Sequence, residues 1–150
     1  MIRYITIFLL ATIGTIVIDQ NIKSLFVDGL YHLETSCINL ELHYNKGVAF
    51  SMFSFLGEYL KWIQLALIII IIGFVIYEGY IKKYPFAIGL IIGGAIGNLY
   101  DRFTQDGVVD YVAWHCGFNF AVFNYADVMI DLGVAIIIIA SIFNNRVKIP

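Results

Sequence analysis

Four apolar stretches, at about residues 4–20, 59–80, 84–100 and 126–143, constrain this chain more than any other feature. Each is close to the roughly 20 residues that an α-helix needs to cross the hydrocarbon core of a bilayer. The second contains LALIIIIIGFVIY, with no polar side chain before its final tyrosine. Composition agrees: 61% of the 150 residues are hydrophobic and 13% are charged. Soluble domains hold about 25% charged residues, so polar surface is too scarce here to cover a water-soluble globule. The expected fold is an all-α membrane protein, one domain over residues 1–150, with four transmembrane helices. The first stretch is expected to stay as a span rather than be cleaved, because Asp19 and Gln20 follow it and no A-x-A-like site does. A net charge of −2 leaves no basic face for phosphates, which excludes nucleic acid as a partner.

Lysine and arginine near the span ends predict orientation. Arg3, the pair Lys82–Lys83, and Arg146 with Lys148 crowd into short segments and mark the cytoplasmic side. Both termini are then cytoplasmic. Residues 21–58 and 101–125 are extracytoplasmic, and Asp19, Asn45, Asp101, Asp110 and Asp127 converge at the outer rim although they are scattered along the chain. Charged groups at such depth are costly and face a bundle interior or a wet cavity.

Within the first outer segment, Ile38, Leu40, Leu42 and Tyr44 alternate with Asn39, Glu41, His43 and Asn45. A period of two predicts a half-buried strand. The NKG at 45–47 marks a turn, and VAFSMF at 48–53 is expected to return as a second strand, giving a small extracytoplasmic β-sheet and loop resting on the membrane surface. Gly89, Gly93 and Gly97 recur every four residues, with Gly94 beside them. Small residues at that spacing let helices approach closely in lipid.

Several chemistries can be weighed on the outer face. Ser51 and Ser54 lack a GxSxG-like context, although a serine–lysine pair with Lys46 or Lys61 stays open. His115 and Cys116, with His32 and His43, are conceivable metal ligands, but neither Cys37 nor Cys116 lies in a CxxC. No metal or cofactor is expected. Cys37 and Cys116 can pair as a disulfide if both face an oxidising space. Paired carboxylates are the better supply. Two aspartates sharing one proton can activate water and protonate a carbonyl together. Asp110, in GVVDYV, and Asp127, in FNYADVMI, are the candidates, with solvated or helix-capping aspartates as the plainer alternative. A proton-coupled transporter would want its acids near the bilayer midplane. Here only Asp131 and Glu78 lie deeper or opposite. A non-catalytic assembly factor leaves the grouping of acids unexplained.

GGAIGNLYDR at 93–102, GVVDY at 107–111 and FNYAD at 123–127 resemble successive signature blocks of the lipoprotein signal peptidase (signal peptidase II) family. VIDQNIK at 17–23 and NKGVAFSMF at 45–53 resemble its two earlier blocks, so the likeness covers essentially the whole chain. The resemblance implies a membrane aspartic endopeptidase of the bacterial inner membrane. It would remove signal peptides from prolipoproteins just before the cysteine that carries diacylglycerol. It implies Asp110 and Asp127 as the catalytic pair. It also implies Asp19, Lys23, Asn45, Asn98, Asp101, Arg102 and Asn124 as residues that bind substrate or support the site. Membrane lipid and globomycin-type inhibitors are the other implied partners. Asp131 departs from the family, which usually has an apolar residue there, and WHCG at 114–117 lies outside its signature.

Overall fold

The fold is a computed structural model that describes residues 1–47, 52–118 and 120–146. Helix α1 (Ile2–Val27) is followed by strand β1 (Ile38–Asn45), then helices α2 (Tyr59–Tyr77), α3 (Tyr80–Lys83) and α4 (Pro85–Thr104), strand β2 (Val108–Trp114) and helix α5 (Tyr125–Arg146). Three helices, α1, α2 and α5, are long and apolar enough to cross a membrane by length and composition. The expected third span coincides with α4. Its four glycines, Asn98 and the adjacent Asp101 and Arg102 dilute the apolar content that marks the other three. Helix α1 runs past the expected end near residue 20, because Asp19, Lys23 and Phe26 lie on its buried face. Gly79 adopts a left-handed φ of 69° between α2 and α3, which ends the second stretch near residue 77.

Helix α4 is the centre of the bundle, with eleven buried residues against five on the longer α1. Its glycines explain how. A methyl group on Gly93 would lie 2.8 Å from the Thr12 carbonyl oxygen, and one on Gly89 2.7 Å from that of Phe8, so this stripe is where α1 packs. On the other side, a methyl on Gly94 would lie 2.5 Å from the Ala126 carbonyl oxygen of α5. The predicted stripe therefore splits between two neighbours. Far from the polar rim, Phe8, Ile81, Tyr84 and Ile137 pack around Val75, Ile88 and Ile92. This places Lys82–Lys83 at the same end of the bundle as the start of α1.

Strand β1 forms as its alternation predicts, but its partner differs from the expectation. Val48, Ala49, Phe50 and Ser51 lie outside the described residues, and Met52 and Phe53 are in a turn. The strand that pairs with β1 is β2, antiparallel, with Leu40 opposite Val112 and His43 opposite Asp110, and an irregularity between Leu40 and His43. The run VVDYV has the β-branched and aromatic character of a strand, yet its partner residues lie 63 (Asn45–Val108, 108 − 45) to 76 (Ile38–Trp114, 114 − 38) positions away, beyond the reach of any local signal. Leu42 and Tyr44 are exposed rather than half-buried, because the two-stranded sheet covers its core-facing side mainly through β2, where Val108, Val109, Asp110 and Tyr111 are buried. Tyr111 stacks on Phe26 of α1 with ring centroids 4.4 Å apart, which seats the sheet on the bundle. Cys37 and Cys116 form a disulfide at the far end of the two strands.

Candidate active site

Asn124 opens α5. Its side-chain oxygen accepts from the Asp127 backbone N–H at 2.9 Å, and the Asp127 carboxylate accepts from the Asn124 N–H at 3.2 Å. This reciprocal pair is the capping-box arrangement, with Asn and Asp in place of the usual Ser/Thr and Glu/Gln. It serves a second purpose. The Asn124 amide nitrogen also donates to the Asp110 carboxylate at 2.7 Å. One asparagine thus ties the carboxylates of β2 and α5 together. Asn98 of α4 donates to the other oxygen of Asp127 at 2.8 Å, and Asn45 of β1 donates to the other oxygen of Asp110 at 3.0 Å. Both aspartates line a cavity of about 480 Å³, together with Asn45, Asn98, Arg102 and the 120–123 segment.

Behind the cavity lies a buried ionic cluster. Lys23 is 2% exposed and sits 2.7 Å from both Asp19 and Asp101. Neither charge would be tolerable alone in an apolar interior; together they satisfy one another. Each also does mechanical work. Asp19 accepts from the Ala126 N–H at 3.1 Å and so anchors the first turn of α5. Asp101 accepts from the Val109 N–H at 3.1 Å and anchors β2 beside Asp110. Lys23 donates to the Asn98 side-chain oxygen at 2.9 Å, which turns the Asn98 amide nitrogen toward Asp127.

All nine residues expected from the sequence therefore gather at one end of the bundle. Asn45, Asn98, Arg102, Asp110 and Asp127 line the cavity, while Asp19, Lys23, Asp101 and Asn124 are buried behind it. Asp131 lines the same cavity one helical turn deeper. Two glutamines escaped the sequence reading. Gln20 donates to Asp101 at 2.9 Å and to Asp19 at 3.2 Å. Gln64 accepts from Arg102 Nε at 2.7 Å. The signal for Gln64 was a lone amide within an apolar run, whereas Gln20, between Asp19 and Asn21, offered no such contrast. Of the serine alternatives, Ser51 lies outside the described residues. Ser54 borders a separate cavity with Lys46 and Lys61, where Lys61 is paired with Glu58.

Asp110 is 2% exposed. Burial pushes its carboxyl up to about 6, Asp127 adds to the rise, and the hydrogen bonds from Asn45 and Asn124 work against it. A carboxyl in that range changes its proton near neutral pH, as acid–base chemistry requires.

Residues 11–143 match the family Signal peptidase (SPase) II. A lipoprotein signal peptidase of Sulfurovum sp. (strain NBC37-1) is 64% identical over 141 residues, covering 94% of this chain and 96% of that protein. One of Sulfurimonas denitrificans is 56% identical over 138 residues, covering 92% and 89%. A bacterial membrane enzyme solved by the in meso method at 2.3 Å superposes with a TM-score of 0.79 at 27% identity, covering 95% of this chain and 91% of its own. Bundle, cavity and likeness together define a multi-pass membrane peptidase. Within that class, the chain belongs to the signal peptidase II family, whose members here carry the name lipoprotein signal peptidase.

Proposed function

We propose that this chain is an aspartic endopeptidase that removes signal peptides from diacylglyceryl-modified prolipoproteins in the bacterial inner membrane, with Asp110 and Asp127 as its catalytic pair. The prolipoprotein substrate follows from the family. The aspartic mechanism rests on one observation: Asn124 joins the two carboxylates at the wall of one cavity. Two acids so placed share one proton. The ionised carboxylate takes a proton from a water molecule, whose oxygen attacks the scissile carbonyl carbon. The neutral carboxyl gives its proton to the carbonyl oxygen. Collapse of the tetrahedral intermediate breaks the C–N bond, and a proton passes from the pair to the departing amine of the lipidated cysteine. General acid–base help of this kind is worth roughly 10²–10⁴-fold.

Asn45, Asn98 and Arg102 border the cavity and supply donors for the carbonyls of an extended substrate. Asp19, Lys23, Asp101 and Asn124 hold the frame. Helix α4 acts as the fourth span, both termini are cytoplasmic, and the pair faces the extracytoplasmic border. The signal peptide and the diacylglyceryl chains then reach the cavity sideways through lipid, and a globomycin-type inhibitor binds over the same pair. Mass analysis of a diacylglyceryl prolipoprotein incubated with purified enzyme tests the reading. Asp110→Asn and Asp127→Asn should each lower cleavage at least about 10³-fold while insertion and melting temperature persist. Wild-type cleavage by either variant would overturn it.

A further inference from the structure

Helix α2 contributes a single amide to the polar rim. Gln64 lies half-buried in the apolar run YLKWIQLALIII and borders the cavity. Both ends of its amide are used. The nitrogen donates to the Ala95 carbonyl oxygen on α4 at 3.2 Å, and the oxygen accepts from Arg102 Nε at 2.7 Å. The first bond fixes which way the amide faces, so the acceptor end meets the guanidinium. Arg102 in turn donates from a terminal nitrogen to the Gly47 carbonyl oxygen. The Gly47 N–H donates to the Asn45 side-chain oxygen at 3.0 Å, and the Asn45 amide nitrogen donates to Asp110 at 3.0 Å. An unbroken line of hydrogen bonds thus runs from a lipid-embedded helix to one of the two carboxylates.

We infer that Gln64 is a positioning residue: it orients the Arg102 guanidinium at the cavity wall and, through Gly47 and Asn45, steadies Asp110. The chemistry favours this over a mere tie between helices. A flexible arginine loses considerable rotamer freedom when it is held at one place. A guanidinium has five N–H donors. Among the described residues, Nε and one terminal nitrogen each spend a donor on a protein partner, which leaves donors for substrate carbonyls. Leucine or isoleucine at 64, the residues that fill most of α2, would leave Arg102 Nε without that acceptor.

The inference rests on the aspartic reading above, and its test separates the two. Steady-state kinetics on the full-length enzyme in lipid, with a diacylglyceryl prolipoprotein, would compare four variants. Gln64→Met keeps the length of the side chain but neither hydrogen bond. It should lower kcat/KM about tenfold, the scale of one lost hydrogen bond to a charged group, with most of the loss in KM. Gln64→Glu keeps the acceptor for Arg102 and should stay within about threefold of wild type. In an Arg102→Ala background, Gln64→Met should cost less than about twofold more, because the group it positions is gone. An equal loss in both backgrounds, or wild-type kinetics for Gln64→Met, would overturn the inference. Should Gln64→Met fail to insert, Gln64→Leu takes its place in the cycle, and a Gln64→Glu enzyme as impaired as Arg102→Ala overturns the inference as well. Asp110→Asn run beside them reports on the parent reading alone: if it cleaves normally, the aspartic mechanism fails whatever Gln64 does.

Discussion

At Asp110, burial and hydrogen bonding pull in opposite directions, and burial wins. The carboxyl rises from the ordinary aspartate range to about 6 despite donors on both oxygens. The sign of the consequence follows from linkage. An acid whose folded value lies above its unfolded one is favoured neutral by the fold. The stability it contributes is complete below about pH 4 and is lost as the pH climbs through about 6. For activity, a pair that needs one proton loses it along the same limb, so kcat/KM should fall on the alkaline side of a profile that bends where Asp110 titrates. Asn45→Leu removes a donor that stabilises the charged form. Its alkaline limb should therefore move to higher pH, read as kcat/KM between about pH 5 and pH 9. An unmoved limb, or one displaced to lower pH, would show that Asn45 does not act on the titrating group. The aspartates themselves were legible early, because a carboxylate in GVVDYV has few structural excuses. What joined them was not, since Asn124 reads locally as an ordinary helix cap and only the fold aims its amide at β2.

Among the elements, α4 shows why the glycine pattern was informative and where it fell short. Spacing by four predicted close packing, and α1 does lie against Gly89 and Gly93. Spacing did not reveal that Gly94, next to Gly93, admits α5 within reach of the chemistry. A methyl group at Gly94 would lie 2.5 Å from the Ala126 carbonyl oxygen and 2.9 Å from the Ile130 side chain. Backbone at that distance cannot yield without moving the helix, and Asp127 is the next residue. Gly94→Ala should therefore destabilise by about 1–3 kcal/mol and lower kcat/KM at least about tenfold through the displaced carboxylate. Gly73→Ala on α2 is the matched control, since a methyl there has nothing within 4 Å. It should leave both unchanged or gain slightly from helix propensity. Equal behaviour of the two variants would remove α4–α5 contact from the account. The strands divide in the same way. Alternation made β1 readable, whereas β2 pairs across a distance in sequence that no local period records, and the return strand expected at 48–53 falls largely outside the described residues.

Across the whole molecule, two unrelated kinds of evidence bear on which side of the bilayer the cavity faces. One is charge. Arg3 begins α1, Lys82 and Lys83 form the end of α3, and Arg146 ends α5, all at the end of the bundle opposite the carboxylates. Short cytoplasmic segments collect such residues. The other is oxidation. The Cys37–Cys116 disulfide links the connection between α1 and α2 to the connection between α4 and α5, across 79 residues. A disulfide persists in oxidising compartments and is rare in a reducing cytosol. Both arguments support the proposed orientation, in which the strands, the disulfide and the cavity face outside. They can be tested together without measuring cleavage. In intact spheroplasts, a membrane-impermeant maleimide should leave both thiols unlabelled at first. After an impermeant reductant, it should label Cys37 and Cys116 without permeabilisation. Labelling that waits for permeabilisation would invert the topology. It would also move Asp110 and Asp127 to the cytoplasmic border, where the start of a signal peptide lies and its cleavage point does not, so the aspartic reading would lose its substrate along with its orientation.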